Sequence, residues 1–259
     1  MTETRLLAPD EPSPVRVLRE SGSSDLFLTA DHAGRVIPRK LGTLGLPPHE
    51  LDRHIAWDIG IANVTEIVSQ QLDATAVLQT YSRLVIDCNR RPEWASAIPE
   101  ISELTPIPGN VGLTAEDRAA RVKEVFAPYH ERIGALLDAR QMRGQRTVLV
   151  AMHSFTPVFK GERRDMQVGV LYGRDSRLAR ILIDLLRAEG DLVVGDNAPY
   201  AITETSDYGI PVHGIARGFG NVEIEIRQDL IEHEAGQIEW AQRFVRLLPL
   251  ADARFKEQS

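Results

Sequence analysis

A chain of 259 residues, 43% hydrophobic and 26% charged, can bury the core of one large α/β domain or of two small ones. Its net charge of −7 argues against a phosphate-backbone binder, and no apolar run approaches the roughly 20 residues that span a bilayer. The polar, proline-bearing start reads as neither signal peptide nor amphipathic anchor, and a single cysteine, Cys88, suits a reducing, cytoplasmic setting without disulfides.

Residues 1–24 read as a loosely ordered lead-in ending in SGSSD, and residues 25–259 as one domain. LFLTA (26–30) has strand length and stops at Asp31-His32. The segment IGIANVTEIVSQQL has helical spacing, with Ile59, Ala62, Ile67 and Leu72 roughly on one side. ATAVLQTYSRLVIDCNR, rich in β-branched and aromatic residues, reads as two strands or one long bent one. Residues 91–116 form a proline-rich loop of a length often found in lids and binding loops. A helix follows, carrying Val122, Val125, Phe126, Tyr129, Ile133, Leu136 and Leu137 on one stripe, with Pro128 kinking it or marking its start. TVLVAMH is an apolar strand that ends, like the first, in a histidine. QVGVLYG is a strand leading to a helix that begins near Asp175, LVVGDNAPY a strand and loop, VEIEIR a strand, and GQIEWAQRFVRLLPL a closing helix. Helices alternating with buried strands predict an α/β sandwich around a mixed, mostly parallel sheet.

Ligands of open α/β sheets bind beyond the carboxyl ends of the strands, where this chain delivers His32 and His153. A catalytic zinc typically takes two histidines and a carboxylate and leaves one position open. Asp58 and Asp31 are the candidates for that carboxylate. Asp58 can instead be a helix N-cap or a first-turn acid, and His54 is a weaker ligand candidate. In SRLVIDCNR, Arg83, Asn89 and Arg90 can clamp a carboxylate or face an oxyanion; the alternative is an exposed strand end with a structural Asp87–Arg pair. The stretch VEIEIRQDL alternates, with Val222, Ile224 and Ile226 on one face and Glu223, Glu225 and Arg227 on the other. Alternation alone does not say which acid, if either, does chemistry.

Taken together, TADHAGRVIP, HIAWDIG, YSRLVIDCNR, MHSFTPVFKG, GDNAPY and VEIEIRQDL resemble the N-formylglutamate amidohydrolase family, related to zinc carboxypeptidases and aspartoacylases. The resemblance implies a three-layer sandwich with about eight strands in its sheet. It also implies zinc ligation by His32 and His153, an Asn89-Arg90 pair that holds a substrate carboxylate, Arg83 polarising the scissile carbonyl, and Glu225 as general base. Carboxypeptidases carry a glutamate ligand where this chain has Arg35, so the carboxylate comes from elsewhere; the resemblance implies Asp58, since an aspartate recurs near this point in the formylglutamate relatives. The activity implied is zinc-dependent hydrolysis of a small acidic N-acyl amino acid, N-formyl-L-glutamate first. A related deacylase or small carboxypeptidase, or a non-enzymatic metal- or carboxylate-binding domain, is the alternative, and a homo-oligomer is left open. Tyr200, Tyr208 and His213 are expected to line the pocket, with ordinary loop packing as the alternative. Glu223 is expected to pair with a basic neighbour or to face solvent.

Overall fold

Four apolar runs, each too short and too β-branched for a helix, supply the central strands. The computed structural model describes residues 5–203 and 205–258. In chain order its strands are β1 (Val15–Leu18), β2 (Leu26–Ala30), β3 (Thr75–Gln79), β4 (Ile101–Ser102), β5 (Thr105–Pro106), β6 (Val148–Phe155), β7 (Val158–Phe159), β8 (Glu162–Arg163), β9 (Val168–Leu171), β10 (Val194–Asp196) and β11 (Gly220–Arg227). The helices are α1 (Pro48–Leu51), α2 (Ile61–Leu72), α3 (Ala115–Arg121), α4 (Ala127–Met142), α5 (Arg177–Ala188) and α6 (Glu234–Lys256).

Seven strands form one sheet in the order β1-β3-β2-β6-β11-β9-β10, against the eight or so that the resemblance implies. The central four, β3, β2, β6 and β11, are mutually parallel, while β1 and the β9–β10 pair run against them. Four carboxyl ends therefore open on one edge of the sheet, which is where chemistry is expected. The remaining strands make two small hairpins, β4–β5 and β7–β8, linked where the Lys160 amide donates to Glu103 Oε1 at 3.0 Å.

Side-chain alternation sorts the two faces. Leu28, Val150, Val222, Ile224 and Ile226 pack with Val64 of α2, Leu182 of α5 and Phe244 of α6. Phe27, Val77, Leu149 and Ala151 point the other way, against Tyr129, Ile133 and Leu137 of α4. The result is a three-layer sandwich. At the carboxyl ends of the strands that face opens into a cavity lined by His32, His153, Glu223 and Glu225.

Three sequence expectations change. Within the supposed lead-in, Val15–Leu18 is an edge strand paired antiparallel with β3, and the Leu6 and Leu7 amides are held by Glu124 at 2.7 and 2.9 Å; residues 1–4 lie outside the described residues. The run after β3 is not a second strand, because residues 80–90 fold as successive turns. Buried Arg121 anchors those turns, donating to the Val85 carbonyl at 2.9 Å and to Asn110 Oδ1 at 2.7 Å. Of the two roles expected of Pro128, the structure has the second, the start of a helix. It lies in the first turn of α4, and a π-helical segment, Val122–Phe126, precedes it. The expected loop at 91–116 holds the β4–β5 hairpin and short 3₁₀ turns, and its residues 99 and 101–103 line the cavity.

Candidate active site

Where β2 ends, the chain turns through Asp31 and His32, and the His32 carbonyl accepts the Asp58 amide at 2.9 Å. That bond brings the segment leading into α2 against the strand end. Asp58 does not cap α2: the capping position is Gly60, at φ +80°, where a Cβ would stand 2.0 Å from the Ile231 carbonyl oxygen. Instead Asp58 Oδ2 lies 3.0 Å from His153 Nδ1, accepts the Ser154 amide at 3.1 Å and is 3.6 Å from His32 Nδ1. His32, Asp58 and His153 are all buried, and one ligand atom from each lies within 4.8 Å of the others.

His32 Nε2 meets Asp87 Oδ1 at 2.7 Å, so its Nδ1, which has no hydrogen-bond partner, is turned to Asp58. Two ring nitrogens and a carboxylate with an outer carboxylate behind one ring form the donor set of a divalent transition metal such as zinc. The residues present fit that ion. Asp31, the other candidate ligand, sits behind the cluster. Its Oδ1 accepts the Tyr129 hydroxyl at 2.6 Å, and its Oδ2 stands 3.9 Å from His153 Nε2. His54 stays outside the cluster, 3.5 Å from Glu103, and Arg35 pairs with Asp52 at 3.1 Å.

Arg83 binds Asp87 Oδ2 through Nε at 3.1 Å and Nη2 at 2.6 Å, leaving Nη1 3.5 Å from Asp58 Oδ1. Asp87 therefore fixes both the histidine and the arginine. Burial alone would raise its carboxyl, but Arg83 and His32 hold it well below the usual range. Asp58 is likewise held low, the His32 and His153 rings outweighing its burial. The Asp87→Asn variant is expected to lose on the order of 10–100-fold in metal affinity or turnover. A metal titration with unchanged affinity, together with unchanged turnover, would contradict that role.

Glu223 and Glu225 project from β11 into the same cavity, of about 560 Å³. Glu225 is the register partner of His153 and is 5% exposed, so the face is buried rather than wet. Burial first, then the Asp58 and Glu223 charges, push its carboxyl well above the usual range against the pull of His153 and Arg83. Glu223 is 3% exposed rather than solvated, and its Oε2 has no hydrogen-bond partner among the described residues. Arg227, farther along the strand, pairs with Asp229 at 2.8 Å.

Asn89, Arg90 and Tyr200 also line the cavity. The Asn89 carboxamide oxygen accepts the Tyr208 and Gly209 amides at 3.0 and 2.9 Å, and its Nδ2 donates to Asp207 at 3.2 Å. Arg90 lies 3.6 Å from Asp207, and the Tyr200 hydroxyl accepts from Arg164 at 2.9 Å. Tyr208 meets the Phe126 ring edge-on and the His130 ring at a tilt, outside the cavity lining.

His213 does not reach the cavity. It is buried in a π-helical segment, Ile210–Ile215, with Nε2 3.0 Å from His130 Nδ1. Burial lowers both rings, to about 3 for His130, with His213 adding repulsion, and to about 4 for His213, with Arg217 adding repulsion. The unfolded chain takes up these protons near pH 6.5, before the folded chain does. Stability therefore falls as pH drops from about 6.5 towards 4, by on the order of 2 kcal/mol per histidine at pH 5. Denaturant melts of His213→Phe should flatten across that window; a slope equal to wild type would contradict the assignment.

Sequence reasoning missed Asp87 as an orienting group, Asp207 as the anchor of Asn89, and Glu223 as a cavity residue. The i,i+4 spacing of Arg83 and Asp87 and the i,i+2 spacing of the two glutamates were the available signals.

A mixed α/β sheet that gathers two histidines, carboxylates and arginines around one cavity at its strand ends defines a hydrolytic class of α/β enzyme. The chain belongs to the N-formylglutamate amidohydrolase family, enzymes that hydrolyse amide bonds, and matches it over residues 24–232. A solved gene product of Agrobacterium tumefaciens is 39% identical, with 97% of this chain and 100% of that one covered and a TM-score of 0.93. The N-formylglutamate amidohydrolase of Ralstonia eutropha shares the fold at 19% identity and a TM-score of 0.69, over 93% of this chain and 98% of that one. No curated protein matches the chain. Among the described residues, no helix is long and apolar enough to cross a membrane.

Proposed function

We propose that this enzyme hydrolyses the amide bond of N-acyl amino acids, with N-formyl-L-glutamate, cleaved to formate and glutamate, as its reference substrate. The observation that carries the reading is Glu225 beside the His32, Asp58 and His153 cluster on one cavity wall. A divalent ion held by those three residues, zinc first, would supply a Lewis acid that polarises the acyl carbonyl and acidifies water.

The protein's own groups do the rest. Glu225, buried and with a raised pKa, accepts the proton of the attacking water and returns it to the leaving nitrogen. Arg83 is braced by Asp87, so its Nη1 is preset toward the oxygen on which negative charge develops. Arg90 meets the substrate α-carboxylate, and Asn89 adds the remaining N–H of its Nδ2. Tyr200 closes the rim, where a half-exposed ring can cover the bound acid. The β4–β5 hairpin, fastened by Glu103 to Arg53 at 2.5 Å, forms the opposite wall.

The test is turnover of a panel of N-formyl and N-acetyl amino acids by zinc-loaded protein. Formate release from N-formyl-L-glutamate is expected. Cleavage of N-acetyl-L-aspartate without cleavage of any N-formyl substrate would replace this reading with that of a different deacylase.

A further inference from the structure

Strand β11 turns two carboxyls toward the cavity, and the general base accounts for one. Glu223 lies two residues before Glu225, about 7 Å along the strand. Its register partner is Ala151 whereas that of Glu225 is His153, so Glu223 sits one pleat deeper, beneath the base. It is 3% exposed, lines the cavity, and its Oε2 has no hydrogen-bond partner among the described residues. A buried carboxyl oxygen without a donor is costly, so it calls for an explanation.

The other charges on the wall are committed, to partners in the protein or, for Arg90, also to the substrate α-carboxylate. Arg83 is held by Asp87, and Glu103 by Arg53 and the Lys160 amide. Arg90 faces Asp207. What the deep end of the cavity offers a ligand is therefore an acceptor, with each nearby guanidinium already facing a carboxylate. Burial, with Asp207 and Asp31 adding to it, pushes the Glu223 carboxyl up to about 7 against the pull of His153 and Arg90, in keeping with a position short of donors.

We infer that Glu223 is a specificity residue that accepts a hydrogen bond from an ammonium or amide N–H at the far end of the substrate's amino-acid side chain. The inference rests on the deacylase reading and adds a substrate class to it. N-acyl amino acids whose side chains end in a cation or a carboxamide gain from Glu223, and those ending in a carboxylate do not.

The experiment compares kcat/KM for Nα-formyl-L-ornithine, N-formyl-L-glutamine and N-formyl-L-glutamate in wild type and Glu223→Gln. Calorimetric binding of free L-ornithine and L-glutamate to the zinc-loaded proteins runs beside it. Losing the charged acceptor should lower the ornithine-to-glutamate ratio of kcat/KM by about tenfold or more, through KM, and shift the ratio of affinities the same way. Ratios unchanged within about twofold, in kinetics and calorimetry alike, would overturn the role of Glu223. Should Glu223→Gln not fold, Glu223→Leu is read by the same ratios. If wild type releases formate from none of the three substrates, the deacylase reading fails, and calorimetry alone then decides Glu223 by the same criterion.

Discussion

The Glu225→Gln variant is expected to lose hydrolysis by on the order of a thousandfold while keeping its metal and its fold. Glutamine preserves the size of the side chain and one acceptor oxygen, but it cannot take a proton from water. The size of the effect follows from position: Glu225 pairs in register with His153 and is buried beside the metal-ligand cluster. Stability points the opposite way. Burial and the Asp58 and Glu223 charges outweigh the pull of His153 and Arg83 on the Glu225 carboxyl, so a neutral side chain there should leave the melting temperature unchanged or raise it. An inactive protein at least as stable as wild type separates a catalytic role from a structural one. Activity within tenfold of wild type would remove Glu225 from the mechanism.

His153→Ala and Asp58→Asn are expected to abolish stoichiometric metal binding and, with it, turnover. Each removes one of the three buried groups proposed as ligands, and the two that remain would leave a divalent ion short of its donor set. Folding reports the same event without any substrate. At a zinc concentration about 100 times its dissociation constant, the wild type should gain about 2.7 kcal/mol, a rise of roughly 5–10 °C in melting temperature. Neither variant should show that rise. A zinc-dependent rise of the same size in His153→Ala would place the metal elsewhere.

Much of this site was legible before the fold, for reasons that differ from residue to residue. His32 and His153 were visible because buried parallel strands are near-continuous apolar runs, and a histidine where such a run stops is conspicuous. Asp58 followed from an expected ligand count together with the family resemblance, and the structure brings it into the cluster. The two faces of β11 were readable from alternation, but what covers each face was not. Glu223 looked solvated because nothing in the sequence says that its face of the strand is enclosed in a cavity. The edge strand Val15–Leu18 was missed for a related reason: four residues carry little pattern, and their pairing with β3 is a long-range contact. Residues 80–90 misled because Val85 and Ile86 have strand propensity, while the turns they occupy are set by Arg121 and Asn110 from distant segments. His213 was placed in the pocket by its neighbourhood in sequence, whereas the fold uses it to fill space against His130.

The measurement that bears most directly on the account is formate release from N-formyl-L-glutamate by the wild-type protein as purified, after chelation, and after zinc is restored. The account predicts turnover that chelation removes and one equivalent of zinc per chain brings back. Undiminished hydrolysis in metal-free protein, or none in protein carrying one zinc per chain, would contradict it.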